Sequence, residues 1–513
     1  MPRTSGPHAG ALISRDEFHM RTTDAIYRHS LILLADLYEL TMAYGYWKLG
    51  RSNEDAVFHL FFRRNAFAGG YTVAAGLAYV TDYLNNLRLD QSDCAYLEGL
   101  TGADGEPLFD HAFIEYLHDL DFTLDVDAVP EGTVVFPYQP LVRVSGPIMQ
   151  CQIIESALLN MINFQSLIAT KASRICSVAT TDGQPDQVLE FGLRRAQGVD
   201  GAIAASRAAY IGGCSATSNV LAGKLFGIPV RGTHAHSWIM SFDDELEAFD
   251  AYARVLPNNC VFLVDTYDTL SGVRKACEIG ERMRARGREM LGIRLDSGDL
   301  AYLSIQARKM LDDAGFPDAV IVASNELDEH IISTLKDQGA RITVWGVGTK
   351  LTTAYDQPAL GGVYKLSAVR RDGAPWQFKV KVSEQTIKVS TPGSLQVRRF
   401  YDDEGFIADM TYEQGLGTPT MPIIVDPTDH THRKRIEPDT AHEELLVAIM
   451  RGGRLVYDCP PLSDSRARTM TQLASLHPSI RRFVNPHRYP AGLELGLHDL
   501  KTELILEARS QVD

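Results

Sequence analysis

Six segments of this sequence place acidic, basic or hydroxyl side chains at the ends of short apolar runs. They are Glu190–Arg195, Thr233–Ser237, Asp265–Asp268, Arg294–Asp299, Ser324–Glu326 and Gly346–Lys350. In sheets of parallel strands, functional residues gather at the carboxyl ends of the strands. Side chains of these types can hold phosphate groups, hydroxyl groups or a metal ion, so the six segments together indicate one convergent site.

The most informative of these segments begins at Arg294. Arg294 and Asp296 lie two residues apart at a predicted strand end, so their side chains point to the same face. Arginine can bind a carboxylate or a phosphate through two nitrogens, and aspartate can hold ribose hydroxyls or a magnesium complex. The alternative is an internal salt bridge followed by a helix cap at Ser297 or Asp299.

Two histidines, His234 and His236, end another apolar run and would share one face of a strand. A zinc site is conceivable, but the sequence has neither an HExxH motif nor a Cys/His set beside them. We expect a histidine that performs acid–base or phosphoryl chemistry, and a hydrogen-bonded structural histidine is the alternative.

An anionic ligand is indicated by glycines and by basic residues. Gly346 and Gly348 follow an apolar run, where they would let backbone N–H groups approach a phosphate; a tight turn is the alternative. The early part of the same region is locally basic, through Lys171, Arg174, Arg194, Arg195 and Arg207. A polyanionic ligand would need such a cluster.

These segments require a scaffold of alternating strands and helices. The predicted strands are Val188–Gly192, Ala208–Gly213, Gly227–His236, Cys260–Asp268, Met290–Asp299, Val320–Asn325, Ile342–Thr349 and Val363–Val369. The predicted helices are Asp243–Val255, Ser271–Gly287, Ser297–Gly315 and Leu327–Gly339, with two more near 463–476 and 494–509. This alternation indicates a parallel sheet with right-handed crossovers. About eight such units would close an (α/β) barrel, and an open doubly wound sheet is the alternative.

Composition narrows the class of protein. The chain has 513 residues and a net charge of −15, which predicts two or three domains and argues against nucleic-acid binding. No apolar run reaches the ~18 residues of a membrane-spanning helix. Seven scattered cysteines without a CxxC pair fit a cytoplasmic location, where thiols stay reduced.

Taken in chain order, the motifs resemble the nicotinate phosphoribosyltransferase family over roughly residues 30–400. They are Leu34–Trp47, Phe62–Asn65, Asn163–Gln165, Glu190–Gly198, Gly213–Asn219, Gly232–Trp238, Arg294–Asp299, Trp345–Thr349, Gly361–Leu366, Lys381–Glu384 and Lys388–Gly393. The resemblance implies an α/β fold, an irregular (α/β) barrel of the type II phosphoribosyltransferase kind, with a second, discontinuous α+β domain. The expected divisions are a flexible tail at 1–22, a discontinuous domain at 23–156 plus 390–513, and the barrel at 157–389.

The resemblance also implies an activity. The family joins nicotinate to 5-phosphoribosyl diphosphate (PRPP), releasing pyrophosphate and forming nicotinate mononucleotide for NAD biosynthesis, and it couples this step to ATP hydrolysis. We therefore expect ATP as a co-substrate and Mg²⁺ carried by the diphosphate rather than by protein side chains. A homodimer is expected, without nucleic-acid or membrane partners.

Residue roles follow from the motif positions of the family. By resemblance His236 is transiently phosphorylated, with His234 ranked second, and Asp296 is a catalytic residue facing the ribose. The nicotinate-binding residues would be Thr233, Arg294, Ser215 and a ring-stacking Tyr38 donated by the partner subunit. The PRPP-binding residues would be Arg194, Arg195, Gly346, Gly348 and Thr349. Ser215 lies about where nicotinamide-using relatives have an aspartate, which favours a carboxylate substrate.

Other readings of the sequence predict different activities. Quinolinate or nicotinamide could be the acceptor, and a non-catalytic sensor of PRPP or of NAD precursors is a second class. A barrel lyase with a Schiff-base lysine would use Lys365 or Lys381.

Overall fold

The computed structural model describes residues 30–371, 373–383, 385 and 388–510. Two compact units are present: the described part of Met1–Leu34 together with Asn86–Leu120, and Ala35–Asn85 together with Asp121–Asp513. These divisions differ from the boundaries expected at 156/157 and 389/390, which stay a prediction. The predicted tail at 1–22 lies outside the described residues.

Sixteen α-helices are assigned in the described chain. They are α1 (Leu37–Lys48), α2 (Leu77–Asn85), α3 (Gln91–Glu98), α4 (His111–His118), α5 (Ile148–Ile153), α6 (Glu155–Val178), α7 (Val199–Ile211), α8 (Val220–Phe226), α9 (His236–Met240), α10 (Glu245–Val255), α11 (Thr269–Arg284), α12 (Leu300–Asp313), α13 (Glu329–Asp337), α14 (Thr349–Thr352), α15 (Leu462–Ala474) and α16 (Leu495–Ser510). In the part of the chain that the structure describes, no helix combines the length and apolar composition needed to cross a membrane.

The same residues form 23 strands. They are β1 (Asp55–Phe61), β2 (Thr72–Val73), β3 (Asp125–Ala128), β4 (Val134–Val135), β5 (Val142–Pro147), β6 (Thr180–Thr181), β7 (Gln184–Pro185), β8 (Gln187–Glu190), β9 (Ala216–Thr217), β10 (Val261–Leu263), β11 (Gly292–Leu295), β12 (Val320–Asn325), β13 (Val344–Val347), β14 (Val363–Arg370), β15 (Gln377–Phe378), β16 (Leu395–Asp402), β17 (Gly405–Glu413), β18 (Ile423–Val425), β19 (Arg433–Arg435), β20 (His442–Glu444), β21 (Val447–Arg451), β22 (Arg454–Leu455) and β23 (Ala491–Glu494).

The smaller unit contains α3 and α4. Asp90 caps α3 through a reciprocal arrangement: its side chain accepts the backbone N–H of Asp93, whose side chain accepts that of Asp90. Helix α4 buries Phe113, Ile114 and Leu117.

The larger unit contains a six-stranded, all-parallel sheet in the order β10-β11-β12-β13-β8-β9. Its inner face is apolar, and the buried side chains of one cluster come from Leu189, Ala216, Val261, Val322 and Val344. Because Ala216 lies on β9 and Val261 on β10, both edge strands contribute to the same cluster. The predicted parallel α/β sheet is therefore present.

Aspartates fix the starts of the helices that follow these strands. Asp244, Asp268, Asp299 and Asp328 cap α10, α11, α12 and α13, each by accepting a backbone N–H in the first turn. The four helices predicted in this region are confirmed, with their ends shifted by a few residues. Because Asp268, Asp299 and Asp328 lie shortly after the ends of β10, β11 and β12, these three caps also fix loops that carry the candidate site.

Two of the predicted strands were wrong, and a third was assigned to the wrong sheet. The residues of Ala208–Gly213 belong mostly to α7, whose alanine-rich sequence favours a helix. The segment Gly227–His236 forms only an isolated bridge between Thr217 and Val230, next to Pro229, which lacks a backbone donor. The predicted strand Val363–Val369 does exist, but as β14 it pairs antiparallel with β1 rather than joining the parallel sheet.

Two further sheets, both mainly antiparallel, are formed by strands that precede or follow the parallel sheet in the chain. One sheet has the order β15-β14-β1-β5-β3-β21-β22, so it joins strands from before and after the parallel sheet in the chain. The other has the order β19-β18-β23-β17-β16-β20 and includes the parallel pair β17–β23. A fully buried ion pair of Arg399 with Asp409, 2.7 Å apart, lies within the second sheet, and Tyr489 donates to the same carboxylate. The two predicted C-terminal helices are confirmed as α15 and α16.

Candidate active site

Arg294, at the carboxyl end of β11, is the centre of a polar cluster. Its Nε donates to Ser324 Oγ at 2.7 Å, its Nη1 to Thr233 Oγ1 at 3.1 Å and its Nη2 to Asp296 Oδ1 at 2.8 Å. Ser324 in turn donates a short hydrogen bond to Asp296 Oδ1. The structure thus brings together three residues predicted for the site and adds Ser324.

The guanidinium of Arg294 keeps donors for a ligand. Arginine has five N–H groups, and the three bonds above leave one on each terminal nitrogen. Two N–H groups of one guanidinium can together bind the two oxygens of a carboxylate. The side chain is only 14% exposed, so a carboxylate bound there would be largely shielded from water.

His236, the first residue of α9, faces the same cluster. Its Nδ1 lies 3.1 Å from Thr266 Oγ1, and its Nε2 lies 3.7 Å from Asp296 Oδ2. The imidazole is 38% exposed, so a phosphoryl donor could reach it. The two ring nitrogens of an accessible imidazole are therefore flanked by a hydroxyl and a carboxylate.

Asp296 is held as a carboxylate. Burial raises its pKa, but the hydrogen bond from Ser324 and the charge of Arg294 outweigh this effect, so the pKa lies below its usual range. Its backbone N–H donates to Asp265 Oδ2 at 2.8 Å, as Ser297 Oγ does at 2.6 Å. Among the residues that the structure describes, Asp265 Oδ1 is buried without a hydrogen-bond partner. The end of β10 therefore adds a carboxylate oxygen to the site.

His234 has a structural environment that differs from that of His236. Its Nε2 accepts the backbone N–H of Leu263 at 3.3 Å, and its ring packs edge-on against Tyr252 at 4.8 Å. Burial lowers its pKa to about 4, so the ring is neutral at pH 7. Leu263 lies on β10, at the edge of the parallel sheet. The imidazole of His234 therefore accepts a backbone N–H at the point where the inter-strand hydrogen bonds of that sheet end.

Phe191 lies between Arg294 and the glycine-rich turn. The Arg294 guanidinium is 5.7 Å from the ring centroid, and a Cβ on Gly346 would come within 2.7 Å of the ring. A Cβ on Gly348 would approach the Phe191 carbonyl oxygen at 3.3 Å. The glycines therefore make room for Phe191, whose backbone carbonyl and ring face this turn. Thr349 follows at the start of α14, with its Oγ1 3.4 Å from Glu326 Oε1.

A buried carboxylate anchors the loop after Phe191. Glu190 is 1% exposed and accepts hydrogen bonds from Gly192 N, Ser206 Oγ and Thr217 Oγ1. The loop that it anchors carries Arg194 and Arg195, which are exposed. Within the described residues neither arginine has an ion-pair partner. Both are free to meet an anion.

Ser215 and Ser218 lie on either side of the short strand β9. Ala216 pairs with Leu189 and lies on the inner face, in register with the row that contains Gly346 and Ser324. Ser215 therefore points to the opposite face, where its Oγ donates to Val188 O at 3.1 Å. The structure does not bring Ser215 to the cluster. Ser218 follows the carboxyl end of β9, where its backbone N–H donates to Glu190 O at 2.9 Å.

Tyr38 lies apart from these residues, on the first turn of α1. Its contacts are with Glu39, Glu155 and Ser156, and 45% of its surface is exposed. Within the described chain, no hydrogen bond joins it to the Arg294 cluster.

The remaining predicted basic residues form internal ion pairs. Lys171 and Arg174 both bind Glu329, at 2.7 Å each, and Arg207 binds Glu131 at 2.6 Å. Arg194 and Arg195 are therefore the exposed members of the basic cluster. Among the residues described, no group of three His, Cys, Asp or Glu side chains is arranged to hold a metal ion.

The sequence analysis missed Phe191, Asp265, Thr266 and Ser324 as individual site residues. All four lie in strand-end segments that it singled out, so strand-end position was the available signal. Which side chain of each segment turns inward depends on sheet register and could not be assigned from that position alone.

Models of known protein families match most of the chain. The N-terminal domain of nicotinate phosphoribosyltransferase (NAPRTase) matches residues 33–163, the NAPRTase family 187–386, and the NAPRTase C-terminal domain 395–501. The nicotinate phosphoribosyltransferase of Bacillus subtilis is 44% identical over 494 residues, which cover 94% of this chain and 97% of that protein. The chain belongs to the nicotinate phosphoribosyltransferase family.

Two further relatives of this family member agree with that result. Nicotinate phosphoribosyltransferase 2 of Arabidopsis thaliana is 39% identical, over 91% of this chain and 93% of its own length. The crystal structure of human nicotinic acid phosphoribosyltransferase superimposes with a TM-score of 0.78 at 32% identity, covering 91% of this chain and 99% of that one.

Proposed function

We propose that this protein transfers the phosphoribosyl group of PRPP to nicotinate, forming nicotinate mononucleotide and pyrophosphate, with ATP hydrolysis coupled to the transfer. Nicotinate mononucleotide is a precursor in NAD biosynthesis. Family membership supports the reaction, and the two spare N–H groups of Arg294 support nicotinate as the acceptor. The remaining assignments are the catalytic arrangement that we propose for this chain.

Arg294 binds the nicotinate carboxylate through its two terminal nitrogens, and Thr233 helps to orient the guanidinium. The pyridine ring lies against Phe191 and, in the assembled dimer, under Tyr38 of the partner subunit. This fixed orientation holds the ring nitrogen in line with ribose C1, and positioning of this kind supplies much of a transfer rate. Ser215 takes no part, because it points to the opposite face.

Transfer breaks the bond between ribose C1 and the diphosphate oxygen, and the ring nitrogen donates the electron pair of the new C1–N bond. Asp296, which is already a carboxylate at neutral pH, faces the ribose and stabilises the positive charge that develops on it. Arg194 and Arg195 face the departing phosphates, while Gly346, Gly348 and Thr349 hold the 5-phosphate.

Mg²⁺ enters as an ion carried by the diphosphate. Asp265 Oδ1, which is buried without a hydrogen-bond partner among the described residues, is the oxygen best suited to contact the ion. When bound, Mg²⁺ neutralises charge on the leaving oxygens.

His236 accepts the γ-phosphoryl group of ATP on an imidazole nitrogen, and ADP leaves with the electrons of the broken P–O bond. Water later removes the phosphate. Phosphorylation adds a charge of about −1.5 to −2 beside Asp296 and the diphosphate, which reorganises basic side chains there.

The decisive assay mixes protein, nicotinate, PRPP and Mg²⁺, with and without ATP, and measures nicotinate mononucleotide. Product formation, faster with ATP, is expected. Nicotinamide replaces nicotinate in a parallel reaction, and quinolinate in a third, where release of carbon dioxide marks its use. No product from nicotinate under either condition would overturn the proposal.

His236→Ala should abolish the stimulation by ATP and leave some ATP-independent transfer, because only the phosphoryl acceptor is lost. The measurement is the initial rate at saturating nicotinate and PRPP, with and without ATP, alongside a ³²P-transfer assay from γ-labelled ATP. Equal loss of both activities would contradict the phosphohistidine assignment.

We further propose that the parallel sheet is an irregular barrel. The contribution of β9 and β10 to one inner cluster supports closure. We also propose that the protein forms a homodimer. For its location we propose the cytoplasm, because the seven cysteines are all free, which is compatible with a reducing compartment.

A further inference from the structure

Glu39, next to Tyr38, joins α1 to the start of α6. It is fully buried, and its Oε1 accepts the Ser156 backbone N–H at 3.0 Å and a short bond from Ser156 Oγ. The first N–H groups of a helix have no partner within the helix, and Ile154, which precedes α6, provides no side-chain cap. Glu39 therefore supplies from α1 the acceptor that α6 lacks.

Glu155, the first residue of α6, holds the Tyr38 side chain itself. The Tyr38 hydroxyl lies beside the Glu155 carboxylate, whose Oε2 accepts Gln152 Nε2 at 2.8 Å. Burial, followed by the charges of Glu155 and Glu39, raises the pKa of Tyr38, so the phenol stays protonated and is able to donate to the carboxylate. The hydroxyl end is anchored while nearly half of the residue is exposed.

We propose that Glu155 and Glu39 are positioning residues, which fix the exposed face of the Tyr38 ring in the orientation that stacks on nicotinate. Glu155 fixes the hydroxyl, and Glu39 fixes the helix that carries the ring. Anchoring before binding reduces the rotamer entropy that would otherwise be lost when the ligand arrives. The inference rests on the proposed function, in which Tyr38 stacks on nicotinate.

The surroundings of Glu39 indicate which substitutions preserve its link between α1 and α6. Asp36 Oδ2 lies 2.9 Å from Ser156 Oγ, the charges of Glu155 and Asp36 face Glu39, and Lys365 faces Glu155. The hydroxyls of Tyr83 and Tyr364 lie near Glu39 as well. Burial raises the pKa of Glu39 to about 7, although the two hydrogen bonds from Ser156 act to lower it. Because both protonation states keep an acceptor oxygen, a neutral glutamine should serve as well.

The first test compares two substitutions of equal length at one position. Glu155→Met removes the acceptor, whereas Glu155→Gln keeps a carbonyl oxygen of the same reach. We expect Glu155→Met to raise KM for nicotinate about fivefold or more, with KM for PRPP unchanged, and Glu155→Gln to stay within about twofold of the wild type. Glu39→Met and Glu39→Gln should show the same contrast. Glu503→Gln, an exposed charge on α16, is the control for loss of one negative charge.

A double-mutant cycle separates positioning from general damage. Tyr38→Phe keeps the ring and removes the hydroxyl, so its effect and that of Glu155→Met should not add when the two are combined. A role limited to folding would lower the melting temperature and the active fraction without changing the ratio of the two KM values. If Glu155→Met unfolds, Tyr38→Phe still tests the anchored hydroxyl.

The inference is overturned if Tyr38→Phe and Glu155→Met leave KM for nicotinate unchanged, or if their effects add. These outcomes differ from failure of the proposed function, which would appear as absence of nicotinate mononucleotide with the wild-type enzyme.

Discussion

Arg294 combines three internal hydrogen bonds with two free donors, and this division explains how one side chain can be rigid and still bind a ligand. Ser324, Thr233 and Asp296 fix the plane of the guanidinium. A lysine would keep the charge but could satisfy neither the fixed plane nor a two-point contact.

Arg294→Lys should therefore raise KM for nicotinate by more than about tenfold, which corresponds to at least ~1.4 kcal/mol of binding free energy, and should change KM for PRPP little. Steady-state kinetics with each substrate varied in turn provide the measurement. Arg282→Lys, at an exposed position of α11, is the matched control. An unchanged KM for nicotinate would place the carboxylate site elsewhere.

His234 makes the stability of the protein depend on pH. Its pKa in the folded protein is about 4, below its ordinary value of 6.5, so the unfolded chain takes up a proton first as the pH falls. The stabilisation is present above pH 6.5 and is lost as the pH falls to about 4, with a total on the order of 3 kcal/mol.

His234→Gln should flatten this dependence, because glutamine can accept the Leu263 N–H without titrating. Denaturant unfolding measured from pH 7 to pH 4.5 should give a smaller loss of unfolding free energy for the variant than for the wild type. Parallel curves for the two proteins would show that the buried imidazole does not titrate as described.

At the scale of elements, the ring of Phe191, which follows β8, packs against Gly346 on the neighbouring strand β13, so only glycine fits at that position. A Cβ at Gly346 would lie 2.7 Å from the Phe191 ring, which itself lies beside Arg294. The missing side chain at Gly346 thus determines where the aromatic surface of the site lies.

Gly346→Ala should move Phe191, lower kcat/KM for nicotinate by about tenfold and destabilise the fold by about 1–3 kcal/mol. Gly201→Ala is the matched control: an added Cβ on α7 would meet no atom within 4 Å, and alanine favours a helix. The measurements are kinetics and thermal unfolding of both variants. Normal kinetics in Gly346→Ala would mean that Phe191 tolerates displacement.

At the scale of the whole molecule, the net charge of −15 coexists with a site built for anions. Most basic residues near the site are paired inside the protein, and Arg194 and Arg195 remain exposed. The proposed dimer would complete this site with Tyr38 of the other subunit, and that arrangement predicts subunit complementation.

Tyr38→Ala and Arg294→Ala should each be nearly inactive alone, yet equal amounts refolded or expressed together should recover about one quarter of the wild-type activity. Half of the dimers would then be mixed, and each mixed dimer would contain one intact site. Activity of the mixture is measured against each variant alone. No recovery, with mixed dimers demonstrated by tagged subunits, would place Tyr38 and Arg294 of one site in the same subunit.

Local periodicity and the order of the motifs along the chain were enough to predict many of the helices and strands and the family of this protein. The helices around α10 to α13 and the strands β8 and β10 to β13 follow from short-range patterns, because side-chain alternation and helix caps depend on neighbours in sequence. The family motifs indicated the activity, and the strand-end segments contained every residue of the cluster around Arg294.

Only the tertiary structure decided which of these residues act together. His234 and His236 are two residues apart, but Leu263 binds one imidazole and Asp296 faces the other. The register of β9 with β8 turned Ser215 away, and pairing with β1 placed β14 in a different sheet. Strand pairing and buried hydrogen bonds join residues far apart in sequence, so periodicity along the chain does not contain them.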